Sequence, residues 1–217
     1  MIPEISIDFG EELFSANTAG ILFHSATGSI IISDCHFGKT THFRRHALPI
    51  PEKAIQKDLN RLEQITKTLN PKRIIFLGDL FHSAENREWN MLSEFLTDRI
   101  KLPLILVMGN HDILSAQCYE KAGFELQSHY FIGNIALVHD LEDFKTNSRF
   151  VISGHIHPGY RLRGNGRQQV LLPCFYVGST SLIMPAFGSL TGLAELEKKH
   201  KTDRVFCFTQ SKIYEVP

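Results

Sequence analysis

Hydrophobic and polar positions alternate between two regimes along this chain. Short apolar, β-branched runs each stop at a polar cluster. Ile30-Ile31-Ile32-Ser33 precedes Asp34-Cys35-His36, and Ile74-Ile75-Phe76-Leu77 precedes Gly78-Asp79. Leu104 to Met108 precedes Gly109-Asn110-His111-Asp112, Ile135-Ala136-Leu137-Val138 precedes His139, and Phe150-Val151-Ile152 leads to Gly154-His155-Ile156-His157. Continuous apolar runs of this length fit strands buried on both faces. Between the first three runs the period changes. Pro51 to Leu69 puts Ile55, Leu59, Leu62, Ile65 and Leu69 on one helical face, with Pro51 suited to a first turn. Asn86 to Ile100 does the same with Trp89, Leu92, Phe95, Leu96 and Ile100. Strand, helix, strand, helix, strand predicts right-handed crossovers and a largely parallel sheet. After Phe124, short runs and the turns Gly133-Asn134, Pro158-Gly159 and Gly164-Asn165-Gly166 predict a second, more antiparallel sheet stacked on the first. The absence of repeats, low-complexity tracts or long linkers predicts one domain over residues 1–217.

Composition narrows the class without naming a function. With 217 residues, 43% of them hydrophobic, and 23 basic residues against 23 acidic, the chain can bury a core and is not a disordered segment. No apolar run approaches the roughly 20 residues of a membrane span. Met1-Ile2-Pro3-Glu4 lacks the start of a secretory signal, and Cys35, Cys118, Cys174 and Cys207 form no CxxC pair, so reduced thiols in a cytoplasmic protein are expected. Histidine is the unusual count: 11 residues, several beside Asp, Asn or Gly.

The polar clusters have candidate chemistry in common. In open α/β sheets, sites gather just beyond the carboxyl ends of strands. Asp34, His36, Asp79, Asn110, His139, His155 and His157 all occupy that position. Singly, Asp34 and Asp79 fit strand-end turns or helix caps, Asn110 a turn, and His139 a satisfied core histidine. Together they supply the imidazole, amide and carboxylate donors that two divalent ions need, with one carboxylate to spare as a bridge. His155 and His157, two apart on an extended segment, point the same way. Cys35, between two candidate ligands, should turn into the core.

Asp-x-His, Gly-Asp, Gly-Asn-His-Asp, His and Gly-His-x-His, in this order from Asp34 to His157, resemble the calcineurin-like metallophosphoesterases. Several segments are similar to the narrower ligase-associated DNA damage response endonucleases (PdeM-like). These are Gly38-Lys39 through Phe43-Arg44-Arg45 to Pro49-Ile50-Pro51, Gly78-Asp79-Leu80-Phe81-His82-Ser83, Leu172-Pro173-Cys174-Phe175 and Pro185-Ala186-Phe187-Gly188. The resemblance implies a four-layer α/β/β/α sandwich, with two stacked mixed β-sheets flanked by helices. It implies one ion on Asp34, His36 and His157, a second on Asn110, His139 and His155, and Asp79 between them. The implied pair is manganese, although the donor set also admits Fe, Zn or Ni. The implied reaction is phosphodiester hydrolysis by metal-hydroxide attack, with His111 stabilising the phosphoryl oxygens or protonating the leaving alkoxide. Asp112 would orient the loop or the imidazole, or cap a helix. Where the superfamily often carries Gly-Asp-x-x-Asp, this chain has His82 in the last place, as a substrate contact or a member of a histidine cluster. The narrower resemblance also implies a DNA substrate, a role in DNA repair, and association with a DNA ligase, a helicase and an exonuclease.

Charge distribution bears on the substrate. Cys35 to Pro51 and Phe144 to Ala194 hold eight of the 23 basic residues and no acid. Arg44, Arg45, Arg161 and Arg163 are thereby candidates to rim the site and hold flanking phosphates, with Phe43 and Tyr160 available to stack on bases. A nuclease or phosphodiesterase is one reading. A hydrolase of nucleotides or other small phosphoesters is the second. A metal-dead scaffold that binds partner proteins is the third, and the intact donor set speaks against it.

Overall fold

The structure, a computed structural model, describes residues 2–39, 53–142 and 149–217. Seven strands form the first sheet in sequence order: β1 (Glu4–Phe9), β2 (Glu12–Asn17), β3 (Leu22–His24), β4 (Ser29–Ser33), β5 (Arg73–Leu77), β6 (Leu104–Val107) and β7 (Phe124–Gln127). β1 to β4 form an antiparallel meander, and β4 to β7 run parallel. The parallel half is the crossover unit read from the sequence. The meander was not legible in the pattern, because its members are short and only one face of β1 is buried.

Helix α1 (Lys53–Leu69) connects β4 to β5, α2 (Arg87–Phe95) connects β5 to β6, and α3 (Ala116–Lys121) lies between β6 and β7. Pro51 lies outside the described residues. Asn86 caps α2, its side chain accepting hydrogen bonds from Glu88 N–H and Trp89 N–H. The helix expected to run on to Ile100 widens instead into a π turn at Leu96–Ile100. The four-residue spacing of Leu92, Leu96 and Ile100 would drift about 40° per step round an α-helix. The wider turn keeps all three buried.

The second sheet holds β8 (Tyr130–Ile132), β9 (Ile135–Val138), β10 (Phe150–Ser153), β11 (Pro158–Arg163), β12 (Gln169–Val177), β13 (Ser181–Ile183), β14 (Ala194–Glu195), β15 (Arg204–Phe208) and β16 (Ile213–Val216). Its order is β14-β11-β12-β13-β10-β9-β8, with β15 and β16 branching from β12. β9, β10 and β13 are parallel, so the sheet is mixed.

Register explains why the strand runs are apolar throughout. Ile30, Ile74, Leu104 and Phe124 lie side by side across β4 to β7 and face the helices, where Leu59, Leu62, Trp89, Leu92 and Tyr119 cover them. Their neighbours Ile31, Ile75 and Ile105 face the other way, onto Ile135, Leu137, Ile152, Phe175 and Leu182 of the second sheet. Two stacked mixed sheets with helices are the expected sandwich. Among the described residues all three helices cover the first sheet. The outer face of the second is closed by its own side chains, Cys174, Tyr176, Ile183, Val205 and Cys207, with Leu141, Ile156 and Leu196 from flanking segments. No helix among the described residues is long and apolar enough to cross a membrane.

Candidate metal centre

All five polar clusters follow directly on the ends of β4, β5, β6, β9 and β10. The loops keep pairing after the strands end. His36 N–H donates to Asp79 O at 2.8 Å, Phe37 N–H to Leu80 O at 2.9 Å, and His82 N–H to Phe37 O at 2.8 Å. Two links then cross between sheets: His155 N–H donates to Asp34 Oδ2 and Nδ1–H of His139 donates to Leu77 O, each at 2.9 Å. Asp34, His36, Asp79, His155 and His157 are all in the left-handed region, with φ between 47° and 67°. Each such non-glycine residue costs on the order of 1–3 kcal/mol and persists where its surroundings over-determine it. Two glycines allow the loops to converge. A Cβ at Gly109 would stand 2.5 Å from Asp79 Oδ1, and one at Gly154 would stand 2.5 Å from Asp34 Oδ2 and overlap Ser33 Oγ.

Two donor groups result. In the first, Asp34, His36 and His157 converge, with His36 Nε2 and His157 Nε2 3.2 Å apart and His157 Nε2 3.2 Å from Asp34 Oδ1. In the second, Asp79, His139 and His155 converge, with His155 Nδ1 3.2 Å and Asp79 Oδ1 3.3 Å from His139 Nε2. Asn110 Oδ1 joins this group at 3.0 Å from the same nitrogen. Asp79 reaches both, since its Oδ2 lies 3.6 Å from His36 Nε2.

The chemistry of these atoms fits a cation. Leu77 O can only accept, so Nδ1 of His139 is the donor, and the tautomer with its proton there has its lone pair at Nε2. That lone pair faces a carboxylate oxygen, an amide oxygen and another imidazole nitrogen. Asp34 Oδ1 is buried and receives no hydrogen bond. Electron-pair donors aimed at one another, with a buried oxygen left over, are the arrangement a bound cation resolves. Two His/Asp groups could thus each hold a divalent ion.

Protonation favours ligand roles. Burial, reinforced by the charge of Lys39, pulls His36 down to about 3, so its ring is neutral. Burial alone would raise Asp34, but His157, then His139 and the Ser33 hydroxyl, outweigh it and hold the carboxyl below its ordinary range. His111 stands beside the donors: its N–H donates to Asp79 Oδ1 at 2.9 Å and its ring lies 5.8 Å from that of His36. Asp112 does not cap α3, and among the described residues it pairs with no imidazole. It is a clamp between loops, accepting from Leu80 N–H at 2.8 Å, Gly109 N–H at 2.9 Å and Phe81 N–H at 3.3 Å. Burial raises it to about 6 despite these N–H groups.

A family model described as calcineurin-like phosphoesterase matches residues 29–160, more than half of the chain and every candidate ligand. The chain belongs to the calcineurin-like phosphoesterases. It is a metal-dependent phosphoesterase, a hydrolase of phosphate esters. No curated protein matches it by sequence. Its fold is that of the Pseudomonas putida nuclease MPE, with a TM-score of 0.80 at 20% identity, covering 98% of this chain and 100% of that one. A phosphoesterase from E. coli, Yfce, is similar at a TM-score of 0.46 and 14% identity, over 87% of this chain and 97% of that one.

Of the basic rim expected for this phosphoesterase, Arg161 and Arg163 lie among the described residues. Arg44, Arg45 and Phe43 lie outside the described residues. Arg161 is committed to Glu195, a two-pronged pair at 2.5 Å from neighbouring strand β14, and Tyr160 packs on the outer face of the second sheet. β11 also carries Arg161 and Arg163 away from His157, roughly 13 and 20 Å along the strand at about 3.3 Å per residue. Neither joins the donor cluster. The acid-free window concealed this because the neutralising acid begins just past its end.

Two residues at the site were missed from the sequence. Asp140 Oδ2 lies 3.5 Å from His155 Nε2, on the side away from His139, where a carboxylate orients a ligating imidazole. An acid directly after a strand-end histidine was the available signal. Lys39, three residues past His36, is a half-buried ammonium within electrostatic reach of Asp79 and Asp34; burial lowers it and those carboxylates partly restore it. Cys35 is core, as expected. Beside Asn110 and His139, a cavity of about 240 Å³ lined also by Met108, Gly109, Ser128, Val138 and Asp140 opens the second donor group to solvent.

Proposed function

We propose that this phosphoesterase is a dinuclear phosphodiesterase acting on nucleic acid, with DNA as substrate in a repair setting. One cation is assigned to Asp34, His36 and His157, the other to Asn110, His139 and His155, with Asp79 shared. The observation that carries this is the facing of lone pairs around His139 Nε2 together with the orphaned Asp34 Oδ1. Bound there, two divalent cations supply a water of lowered pKa and polarise the phosphoryl oxygens. The other roles fall to the chain. His111 presents a ring nitrogen that gives its proton to the leaving oxygen. Asp112 fixes the loop that carries His111, and Lys39 adds positive charge where the phosphate enters. Manganese is the proposed metal and the cytoplasm the proposed setting. Association with a DNA ligase, a helicase and an exonuclease goes with the repair reading.

The fold match to a nuclease over the whole chain supports the nucleic-acid reading. One observation favours the second reading, a hydrolase of small phosphoesters: Arg161, a candidate for flanking phosphates, is already neutralised by Glu195. The test is an assay of manganese-loaded protein on bis-p-nitrophenyl phosphate, p-nitrophenyl phosphate, and single- and double-stranded DNA. Diester and DNA cleavage are expected, with a loss of about 10²-fold or more on DNA in His111→Ala. Hydrolysis of the monoester alone overturns the nuclease reading, and undiminished DNA cleavage in His111→Ala removes its acid role.

A further inference from the structure

Two cysteines face each other on the outer side of the second sheet. In the register of β12 with β15, Cys174 stands directly opposite Cys207. Opposed residues of an antiparallel pair share a face, with Cα atoms about 4.5–5.5 Å apart, inside the roughly 4.4–6.8 Å that a disulfide spans. Both side chains are fully buried in one apolar cluster with Tyr176, Val205 and Val216. The two thiols are hydrogen-bonded to each other. The S–H of Cys174 holds the Cys207 thiol below its ordinary value against the effect of burial, and the same bond, then burial, pushes Cys174 up. The other two thiols are placed differently. Cys35 lies in the core beneath the helices, and Cys118, half-buried on α3, donates to Glu85.

We infer that Cys174 and Cys207 form a reversible dithiol–disulfide site, oxidised by a small peroxide. The ionised Cys207 sulfur attacks one peroxide oxygen; the S–O bond forms as the O–O bond breaks, and the departing hydroxide leaves as water with the proton Cys207 gave up. The Cys174 sulfur then attacks the Cys207 sulfur. The S–S bond forms, the S–O bond breaks, and the hydroxide leaves as water with the Cys174 proton. Two thiols are oxidised and one peroxide is reduced to two waters. A small dithiol reverses the change by exchange. Buried thiols are ordinarily inert, but here the cover is thin. Among the described residues no helix lies over this face, and β16, a strand of four residues, pairs with β15 alone and sets the partly buried Tyr214 beside Cys207. A short strand at a sheet margin opens locally at low cost. The bridge would staple β12 to β15 where β12 meets the start of β11, the strand that follows directly on His157. No metal donor takes part, so the inference stands apart from the phosphodiester reading.

The test is hydrogen peroxide on the folded full chain carrying Cys118→Ser, which removes the exposed competitor, followed by alkylation of the remaining thiols under denaturation. Expected are a mass lower by two hydrogens before alkylation, alkylation of Cys35 alone, and a tryptic cross-link between the peptides of Cys174 and Cys207 that dithiothreitol dissolves. The bridged form should melt at a higher temperature than the reduced one. With Cys174→Ala the reaction should stop at a sulfenic acid on Cys207, trapped by dimedone. With Cys207→Ala oxidation of Cys174 should slow by about ten-fold or more. Full alkylation of Cys174 and Cys207 after peroxide, a link formed only once urea has unfolded the chain, or a link to Cys35 would overturn the site. A bridged form that melts no higher would overturn the staple.

Discussion

The two halves of the donor cluster are built differently. Asp34 and His36 are buried and the His157 side chain is 17% exposed, so the first half is walled in. The second half shares the buried Asp79 and His139, but Asn110 is exposed and the His155 side chain is 39% exposed, beside a cavity. A walled-in group of donors suits permanent retention of an ion. A group with an open side suits exchange and the arrival of substrate. The difference teaches that one symmetric-looking motif list can encode two unequal sites, because burial is set by the loops around each ligand and not by ligand type.

Asp79 is where the halves meet, so it provides the severest test. Asp79→Ala should abolish binding of both cations, seen as loss of two-ion stoichiometry in calorimetry, and lower kcat on the order of 10³-fold or more. Retention of one tight ion would show that the bridge is dispensable.

Next, Asp34→Asn and Asn110→Ala compare the halves directly. Asp34→Asn removes the charge of the buried group and disturbs an oxygen that accepts from Ser33 Oγ and His155 N–H, so the tighter ion should be lost and the melting temperature lowered. Asn110→Ala removes one exposed donor, and the weaker ion alone should loosen. Equal effects in manganese titration would erase the asymmetry. Asp140→Asn should be milder, weakening the open half by about 10–100-fold, because the carboxylate acts through His155. Affinity in the buried half should hold. Smallest of all, Arg161→Ala breaks an exposed pair with Glu195 and should change activity on a small diester less than two-fold, with stability altered by about 0.2–1 kcal/mol.

The parts of this molecule that were legible in its sequence are those where one local rule governs. Apolar runs ending in Asp, Asn or His located β4, β5, β6, β9 and β10 and put all seven candidate ligands at strand ends, since burial on both faces and the strand-end position leave a direct mark in sequence. Leu22–His24 left no such mark, because a three-residue strand has no period to read. Glu195 neutralises Arg161 from a neighbouring strand, and no window along the chain reveals a partner 34 residues away. The role of Asp112 was hidden for the same reason: its acceptors serve Leu80 and Phe81, on a different loop. Likewise, the approach of the His82 and His111 rings to 4.0 Å depends on two loops crossing, which neither motif states alone.

The pair of links between the sheets, His139 to Leu77 and Asp34 to His155, has a consequence for how the molecule ages under heat. Each candidate ligand group draws on both sheets, so a small slip of one sheet over the other detunes the cation cradles while every strand remains paired with its neighbours. Loss of bound ion is then expected before any melting of secondary structure, so on warming activity should fall at a lower temperature than the far-ultraviolet circular dichroism.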